Sequence, residues 1–405
     1  MSPGLPNVLA FDVLRLEGQI TLVSANSLRS VRRSAAAVVS VAGLLALSAC
    51  GSDPESTSSS TPGASDSAST SASSGADCPT GTLNAEGSTA QKNAIEEVIA
   101  KYNDKCPDVT VNYNPTGSGA GVKQFIAGQV DFGGSDSALK TKPKDGKIEV
   151  DEAKKRCQGN PALNLPTVVG PIAVEYNVPG VDKLILDGPT AAKVFQGTIK
   201  TWNDAAIAKL NPGAKLPAAP IAVFFRSDES GTTENFAKYL AAAGGGNWKA
   251  EPAKKWTGTG AGKEKSSGVT EAVKSTKNSI TYSEWSYAVD AKLGVAQIDT
   301  GAGAVELTAE SASKGLAQAK IEGTGNDLRL KIDYTTKAPG AYPIILVTYE
   351  LVCSKGQPAD KVALLKSFLG FYVSADGQSI LNGLSYGPLP EELRAKVDAA
   401  VQSIS

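Results

Sequence analysis

Residues 226–233, which read RSDESGTT, combine an arginine, two acids and several small hydroxyl-bearing residues. An apolar run at 221–225 precedes them, and a helix-like segment at 234–243 follows. A guanidinium can donate two hydrogen bonds to a tetrahedral oxyanion at once, and Asp228 is spaced to hold Arg226 in place. The free backbone N–H groups and the positive dipole end of a new helix also attract anions. This segment therefore predicts an anion-binding site at the end of a buried strand.

A second interpretation of the same segment requires no ligand. Arg226 and Asp228 can form a structural ion pair at a strand end, while Ser230 only caps the helix that follows. Capping serines are common in proteins, so this segment by itself leaves both interpretations open. The rest of the sequence has to decide between them.

The elements that must position such a site come from an alternation of strand and helix patterns early in the folded part. Strands are predicted at 82–85, 109–114 and 130–133, and helices at 90–103 and 119–128. This alternation is typical of an α/β sheet that is covered by helices on both faces.

Small polar residues follow the ends of these three strands. Residues 87–91 read GSTAQ, and Ser88 stands three residues before Gln91, which is the spacing of a capping box. The next turn reads TGSGAG and places Ser118 at the start of the second helix. Asp136 follows the third strand, at the carboxyl edge where ligands bind in open α/β sheets.

The candidate site combines hydrogen-bond donors with one acceptor. The donors are Ser88, Thr89, Ser118, Arg226, Ser230, Gly231 and Thr232, and the acceptor is Asp136. Each serine or threonine taken singly is more simply a helix cap. Three such helix starts and an arginine in one chain favour an oxyanion site. A carboxylate among these donors should repel an anion unless that anion carries a proton to donate.

The absence of histidine from all 405 residues excludes several kinds of chemistry. Ser-His-Asp and Cys-His nucleophilic catalysis and histidine-based metal sites are impossible. The cysteines lack CxxC spacing, so zinc and redox roles are not indicated. Residues 258–264, GTGAGKE, lack the four-residue gap and the hydroxyl residue that a P-loop requires. We therefore predict no metal, no cofactor and no enzymatic activity.

The start of the chain predicts export. Arginines between 29 and 33 precede an apolar run at 35–47, which is too short to favour a membrane-spanning helix and leads to Cys50 in the string LSAC. This string resembles the lipobox of bacterial lipoproteins, in which the cysteine becomes the lipidated first residue. Residues 1–49 are interpreted as an upstream extension plus a lipoprotein signal peptide. Met1 is the only methionine, so translation is expected to start downstream of it.

Residues 50–77 are dominated by Ser, Thr, Ala, Gly and Asp. Such a composition cannot bury enough apolar surface to fold, so it predicts a flexible linker anchored by a lipid on Cys50. The folded part is expected to begin near Cys78, and the remaining chain is long enough for two domains. A net charge of −1 indicates neither nucleic acid nor an anionic membrane surface as a bulk electrostatic partner.

Four further cysteines, an even number in an exported protein, predict two disulfides among three possible pairings. Cys78 and Cys106 precede the first and second predicted strands, and parallel neighbours in a right-handed crossover begin at the same edge of a sheet. We therefore expect a Cys78–Cys106 disulfide and, by elimination, a Cys157–Cys353 disulfide. Cys157 precedes one long apolar stretch and Cys353 ends another, as antiparallel neighbours would require.

These two long apolar stretches, at 163–178 and 342–352, predict that the chain crosses twice between two lobes. Residues 78–165 and 345–405 would form the discontinuous lobe 1, and residues 166–344 would form lobe 2. The cleft between two such lobes is where a hinge-closing protein traps a ligand.

Six strings in this sequence resemble a single protein family. They are GSGAGVKQ at 117–124, VDFGGSD at 130–136, LPTVVGP at 165–171, RSDESGT at 226–232, YPI at 342–344 and YGPLP at 386–390. They look like the phosphate-binding protein of the bacterial high-affinity phosphate ABC importer, and the similarity covers nearly all of 82–405. The resemblance implies an α/β, two-lobed periplasmic binding fold of type II, with two crossover strands and an interdomain anion cleft. It also implies inorganic phosphate as the ligand and the permease subunits of an ABC importer as partners.

The resemblance implies a role for each of four residues in the cleft. Ser118 binds phosphate through its hydroxyl, Arg226 makes the charged contact, and Asp228 orients Arg226. Asp136 accepts the hydrogen bond of a protonated phosphate. Phosphate keeps at least one proton at neutral pH, whereas sulfate has none and would face Asp136 with an unpaired anionic oxygen. Specificity would therefore come from a repulsive element.

The resemblance assigns further phosphate contacts to two chain segments. The donors at the later helix start are Ser230, Gly231 and Thr232. Near the first helix the family usually has Gly-x-Thr-Phe, whereas residues 87–90 read GSTA here. Thr89 takes the threonine position beside Ser88, and Ala90 can supply only its backbone N–H.

We accordingly predict a monomeric solute-binding lipoprotein on the outer face of the cytoplasmic membrane. Two other classes of protein stay open at this point. An exported phosphatase-like hydrolase could use Ser118 or Ser230 as a nucleophile, although no histidine is available as the base. A surface adhesin or signalling lipoprotein could retain the fold without binding phosphate.

Overall fold

The computed structural model of the protein describes residues 78–143 and 146–405. The predicted upstream extension, signal peptide, lipidated Cys50 and linker therefore lie outside the described residues. Within the described part, strands and helices alternate from the first element onward.

The strands are numbered along the chain. They are β1 (Gly81–Gly87), β2 (Val109–Pro115), β3 (Phe132–Ser135), β4 (Ala162–Asn177), β5 (Ile185–Asp187), β6 (Ala222–Arg226), β7 (Ala261–Lys263), β8 (Ser279–Glu284), β9 (Gly294–Val295), β10 (Gln297–Asp299), β11 (Ala304–Val305), β12 (Lys320–Ile321), β13 (Leu330–Lys331) and β14 (Ile345–Cys353).

The helices follow the same numbering. They are α1 (Lys92–Lys105), α2 (Ser118–Ile126), α3 (Glu149–Arg156), α4 (Gly188–Gln196), α5 (Ala205–Leu210), α6 (Gly231–Ala243), α7 (Lys265–Ser275), α8 (Trp285–Ala291), α9 (Ala309–Leu316), α10 (Ala359–Val373), α11 (Ala375–Asn382) and α12 (Glu391–Gln402). In residues 78–143 and 146–405, no helix combines the length and apolar character that crossing a membrane requires.

Nine strands of the described chain form one mixed sheet in the order β2-β1-β3-β14-β4-β8-β6-β7, with β9 pairing β4. β1 is parallel to β2 and β3, and β6 is parallel to β7 and β8. β14 is antiparallel to β3 and β4, and β8 is antiparallel to β4. The mixed sheet and its interleaved helices confirm the predicted α/β class.

β4 joins the two halves of this sheet. Its residues 162–171 pair with β14, and its residues 172–177 pair with β8. Nearly all of β4 is buried, and β14 is buried from end to end. A central strand that is covered on both faces needs apolar residues throughout, which explains the two long apolar stretches in the sequence. The boundaries of the two lobes stay a prediction.

Several element boundaries differ from the predicted ones. α1 begins at Lys92, after a turn, and the capping box predicted for Ser88 and Gln91 is absent. The Ser88 hydroxyl accepts instead from the Ala90 N–H at 3.0 Å, because the chain is still turning at this point. α6 begins earlier than predicted, at Gly231, which brings its N-terminus directly to the candidate site.

Both predicted disulfides are present. Cys78 is bonded to Cys106, with 5.5 Å between their Cα atoms, and Cys157 is bonded to Cys353, with 5.3 Å between theirs. β1 and β2 are parallel and in register from their first residues, as the first pairing required. Cys353 lies opposite Ala162 in the antiparallel pair of β14 and β4, which brings Cys157 within reach.

Aromatic residues that are buried or partly buried pack in two groups. One group surrounds Phe368 of α10 and comprises Tyr102, Phe132 and Tyr372. The other surrounds Phe236 of α6 and comprises Phe195, Tyr239, Trp256 and Tyr282. Large apolar side chains of this kind dominate the hydrophobic stabilisation of a core. The second group supports the helix whose N-terminus forms part of the candidate site.

Candidate anion-binding site

Arg226 is the last residue of β6, and its side chain is only 1% exposed. Its Nε and Nη2 atoms donate to the two carboxylate oxygens of Asp228 at 2.7 and 2.5 Å. Its Nη1 atom donates to the Ser266 hydroxyl at 3.1 Å. The bidentate ion pair gives the guanidinium one orientation, as the predicted supporting role of Asp228 requires.

The same ion pair determines the charge of Asp228. Burial alone would raise the pKa of this carboxyl, but hydrogen bonds and the charge of Arg226, together with the Lys265 N–H, outweigh burial and lower the pKa. Asp228 is therefore ionised at neutral pH, and Arg226 lies buried beside a fixed counter-charge.

α6 begins at Gly231 with Ser230 as its N-cap, and the Ser230 hydroxyl accepts from the Thr233 N–H at 3.1 Å. The capping interpretation of Ser230 is thus correct for this hydroxyl oxygen. A capping hydroxyl still has its own proton to donate. The first N–H groups of a helix have no acceptor within the helix, so Gly231 and Thr232 can present theirs to an anion.

Gly231 lies where three predicted site residues meet. A Cβ atom at this position would come within 2.5 Å of the Ser118 hydroxyl oxygen and 2.7 Å of the Asp136 Cβ. Real Cβ contacts are not this short, so only glycine allows the helix start to approach these side chains so closely. Ser118, Asp136 and the N-terminus of α6 therefore form one cluster.

Asp136 follows β3 and is 3% exposed. Its Oδ2 accepts from the hydroxyls of Ser118 at 3.2 Å and Thr232 at 3.4 Å, and its Oδ1 accepts from Thr348 at 2.9 Å. The Asp136 N–H in turn donates to the Ser118 hydroxyl at 3.1 Å. The predicted acceptor is thus surrounded by hydroxyls that can rotate toward another oxygen.

Opposing effects act on the pKa of Asp136. Burial raises it, while nearby hydroxyls, including those of Ser88 and Thr348, and the charge of Arg226 work in the opposite direction. The result is a raised pKa, because the loss of solvation outweighs the donors. A desolvated carboxyl of this kind interacts strongly with any charge that enters its surroundings.

The N-terminus of α2 lies against the loop that carries Asp228. Its N-cap, Gly117, has a φ of +107°, and a Cβ there would lie 2.6 Å from the Asp228 Oδ2. The Gly119 N–H donates to the Glu229 carbonyl at 2.8 Å. Two helix N-termini, those of α2 and α6, therefore converge as predicted.

The third predicted segment, 88–90, forms a turn before α1 rather than a helix start. The Thr89 hydroxyl is hydrogen-bonded to Ser266 at 2.9 Å, the same hydroxyl that accepts from Arg226. The Ala90 N–H, predicted as a ligand donor, donates to the Ser88 hydroxyl. Its role toward a ligand stays a prediction.

Three tyrosine hydroxyls hold this turn through its carbonyl groups. Tyr113 donates to Ser88 at 2.8 Å, Tyr287 to Thr89 at 2.7 Å and Tyr386 to Ala90 at 2.6 Å. These carbonyls are thereby satisfied, while the Ser88 hydroxyl acts on Asp136 and the Thr89 hydroxyl contacts Ser266. The three tyrosines come from distant parts of the chain.

The sequence patterns did not predict a role for Thr348, Ser266 or these tyrosines. Thr348 lies on β14, inside the second apolar stretch, and a threonine in a largely apolar, buried strand was the available signal. Ser266 is the second residue of α7, and nothing in the sequence marks it as a partner of Arg226. The residues that were predicted, by contrast, are brought together.

This arrangement can bind a tetrahedral oxyanion. Arg226, two helix N-termini and several hydroxyls supply donors, and Asp136 supplies an acceptor that an oxyanion can meet only with a proton of its own. Among the described residues, no group of three or more cysteine, aspartate or glutamate residues is arranged to hold a metal ion.

Comparisons with known proteins agree with this geometry. Residues 67–376 match the family model of a PBP superfamily domain. The phosphate-binding protein PstS2 of Mycobacterium bovis (strain BCG / Pasteur 1173P2) is 44% identical over 93% of this chain and 100% of its own length. The phosphate-binding protein PstS 3 of Mycobacterium tuberculosis (strain ATCC 25618 / H37Rv) is 45% identical over 92% of this chain and 99% of its own.

A solved structure has a similar fold at lower identity. It is a high-affinity periplasmic phosphate-binding protein bound with phosphate, which is 20% identical. The TM-score is 0.65, and the similarity covers 79% of this chain and 93% of that one. At this level of identity the likeness concerns the fold alone.

Proposed function

This chain belongs to the PBP superfamily and, within it, to the PstS phosphate-binding proteins, and from that premise we propose that it binds inorganic phosphate between its two lobes and delivers it to an ABC importer. The observation that carries this proposal is the cluster of Arg226, Ser118 and the α6 N-terminus around Asp136. Donors for an oxyanion surround a single buried acceptor.

In this proposal Arg226 supplies the main charged contact. Asp228 holds the guanidinium through two hydrogen bonds, so that little side-chain entropy is lost when phosphate arrives. Ser118 and Thr232 rotate their hydroxyls from Asp136 toward phosphate oxygens, while Gly231 and Thr232 donate through their N–H groups. Ser88, Thr89, Ala90 and Ser230 complete the contacts, as the family resemblance implies.

Asp136 discriminates between anions according to whether they carry a proton. A phosphate that retains a proton donates it to the carboxylate and replaces the hydroxyl donors that turned away. A sulfate dianion has no proton and would place an oxygen lone pair against the carboxylate in a desolvated site. An unpaired buried charge of this kind costs several kcal/mol, which is enough to reject sulfate by orders of magnitude.

We place the protein outside the cytoplasmic membrane as a monomer, held by a lipid on Cys50. This part of the proposal is supported by the arginines, the apolar run and the LSAC string in the sequence. Residues 50–77 act as the linker that lets the folded part reach a permease. Lobe 1, comprising 78–165 and 345–405, and lobe 2, comprising 166–344, close on phosphate through a hinge at the two crossover strands.

We propose binding and not catalysis. The Ser230 hydroxyl oxygen caps α6, and the Ser118 hydroxyl is hydrogen-bonded to a carboxyl that serves the ligand. The chain contains no histidine to act as a general base for either serine.

Phosphate uptake by cells tests the delivery role. In cells where this chain is the sole phosphate-binding protein, Arg226→Ala should abolish uptake of radiolabelled phosphate at micromolar concentration. Arg394→Ala, the same substitution on α12, is the matched control and should leave uptake unchanged. Equal uptake by both variants would contradict the proposal.

A further inference from the structure

Glu350 is a buried carboxylic acid that the anion cluster described above does not include. It lies in the middle of β14, opposite Gly134 of β3 and Leu165 of β4, and its side chain is 0% exposed. Neither of its carboxyl oxygens has a hydrogen-bond partner among the described residues. A buried charge with no partner is among the costliest arrangements in a protein interior.

The groups that face Glu350 come from five separate parts of the chain. They are Gln91 before α1, Tyr113 of β2, Asp136 after β3, Thr167 of β4 and Tyr372 of α10. None of these side chains is a cation, and the one that carries charge, Asp136, is itself an acid. Gln91 and Thr167 lie near enough to favour a carboxylate weakly, although neither forms a hydrogen bond with it.

These surroundings favour the neutral acid. Burial raises the pKa of Glu350 to about 8, and the charge of Asp136 contributes to the rise. Glu350 is therefore mainly protonated at neutral pH, while Asp136 keeps its hydroxyl donors and the nearby charge of Arg226.

Glu350 lies close to residues that support two parts of the anion cluster. On its own strand, Thr348 is two residues away, on the same face, and donates to Asp136 at 2.9 Å. On the other side, the Gln91 amide donates to the Tyr113 hydroxyl at 2.9 Å, and Tyr113 donates to the Ser88 carbonyl at 2.8 Å. A charge on Glu350 would act on both Asp136 and the turn that contains Ser88.

We propose that Glu350 is a positioning residue that supports phosphate binding only in its protonated form. Its ionisation would place a second buried negative charge near Asp136 and near Gln91 and Tyr113, which support the turn at 88–90, and phosphate would bind more weakly. This inference rests on the proposed function, because it concerns the same ligand and the same cluster.

Glu175 offers a matched control. It is likewise 0% exposed, and burial raises its pKa to about 7. Its carboxylate, however, accepts hydrogen bonds from the hydroxyls of Ser283 and Thr270, which lie outside the anion cluster. Glu175→Gln therefore removes a buried acid of the same type without removing the one behind Asp136.

The test is calorimetric titration of the full-length chain with inorganic phosphate from pH 6.5 to pH 9.5 at constant ionic strength. Wild type and Glu350→Gln should bind equally at pH 6.5. At pH 9 the wild type should bind about tenfold more weakly than the variant, because only about a tenth of it keeps the proton on Glu350. The ionisation of phosphate itself is common to both proteins and cancels in this ratio. Glu175→Gln should follow the wild type.

Superimposable pH profiles for wild type and Glu350→Gln would overturn the inference. A wild type that binds no phosphate at any pH would overturn the proposed function, and the inference with it. The two failures are thus distinguishable.

A second measurement does not depend on the folding of a variant. In wild-type protein labelled with ¹³C at glutamate carboxyls, the Glu350 signal should titrate in the alkaline range, and saturating phosphate should move that titration to higher pH. A titration that phosphate leaves in place would overturn the inference as well.

Discussion

Asp136 distinguishes this site from a general anion cradle. A helix N-terminus and an arginine attract phosphate and sulfate alike, since both anions are tetrahedral and negatively charged. The buried carboxyl of Asp136 does not attract the two anions alike. It accepts hydrogen bonds from Ser118, Thr232 and Thr348, and when hydroxyls turn toward a ligand it needs a new donor from that ligand. In the proposed function, selectivity between the two anions depends on a repulsion by Asp136 that protonated phosphate removes and sulfate does not.

The first prediction concerns this residue. Asp136→Asn should raise sulfate affinity by about 100-fold or more relative to phosphate, because an amide can donate to an unprotonated oxygen. Competition binding with the two anions measures the ratio. Asp290→Asn, an exposed acid on α8, is the control for net charge. An unchanged ratio in Asp136→Asn would rule out Asp136 as the proton sensor.

The second prediction compares two donors to the same ligand. Arg226→Ala should weaken phosphate binding by about 2 to 4 kcal/mol, since it removes a charged contact and leaves Asp228 buried without its partner. Thr232→Ala removes one neutral hydroxyl and should cost about 1 kcal/mol. Calorimetric titration of both variants with phosphate compares their losses of affinity. Equal losses would argue against Arg226 as the main charged contact.

At the scale of elements, the site depends on how closely α6 approaches β3 and α2. The helix is supported by an aromatic group around Phe236, and its first residue has no side chain. This packing lets Gly231 touch Ser118 and Asp136, which belong to other elements. At this scale, the site therefore requires a short distance between the backbone of α6 and its neighbours, and not one particular donor.

The third prediction follows from that distance. Gly231→Ala should weaken phosphate binding by at least about tenfold, because the new Cβ would lie 2.5 Å from the Ser118 oxygen and must push the cluster apart. Gly268→Ala, within α7, is the matched control. Its new Cβ would come no closer than 3.7 Å to another atom, so binding should be retained and the helix slightly stabilised. Wild-type affinity in Gly231→Ala would refute the role of this close approach.

At the scale of the whole molecule, buried acids make stability depend on pH in two directions. Burial raises the pKa of Glu350 to about 8 and that of Glu175 to about 7. For Glu234, burial alone would raise the pKa, but Lys238, Lys140 and Lys254 outweigh burial and lower it to about 2. Glu350 and Glu175 hold protons in the folded chain that the unfolded chain has lost above about pH 4.5. Glu234 behaves in the opposite way.

The fourth prediction follows from the directions of these pKa shifts. From pH 5 to pH 8 the free energy of unfolding should fall, because over this range the folded state binds more protons than the unfolded state. Glu175 alone should account for about 3 kcal/mol of the fall, as its pKa rises from 4.5 to about 7. The contribution of Glu234 is complete above its unfolded pKa and is lost only as the pH falls toward 2.

Urea unfolding at pH 5 and pH 8, in a buffer without phosphate, measures this dependence. Glu175→Gln should reduce the difference between the two pH values by about 3 kcal/mol. Asp290→Asn should leave the difference as it is in the wild type. A Glu175→Gln variant with the full wild-type difference would contradict the assignment of a raised pKa to this residue.

The fold was predictable from sequence where local patterns and covalent constraints coincide. The first three strands alternate with helices in a way that favours a parallel arrangement, and the position of Cys78 and Cys106 before neighbouring strands then determined their pairing. The boundaries of α1 and α6 were less predictable. Capping residues such as Ser88 also serve turns, and the local sequence does not say which role they take.

The site was predictable to the extent that it is built from strand ends and helix starts. Arg226, Asp228, Ser118 and Asp136 stand at such positions, and within each half of the sheet parallel strands bring their carboxyl ends to one edge. Thr348 joins the cluster through a pairing between β3 and β14, which lie more than 200 residues apart along the chain. A contact of that kind depends on tertiary topology, and no local pattern encodes it.

Calorimetric titration of the full-length chain, stripped of endogenous ligand, with phosphate and then with sulfate near neutral pH tests the central claim most directly. We predict tight one-to-one binding of phosphate and no response to sulfate. Comparable binding of both anions would contradict the role of Asp136, and silence toward both would contradict phosphate binding itself.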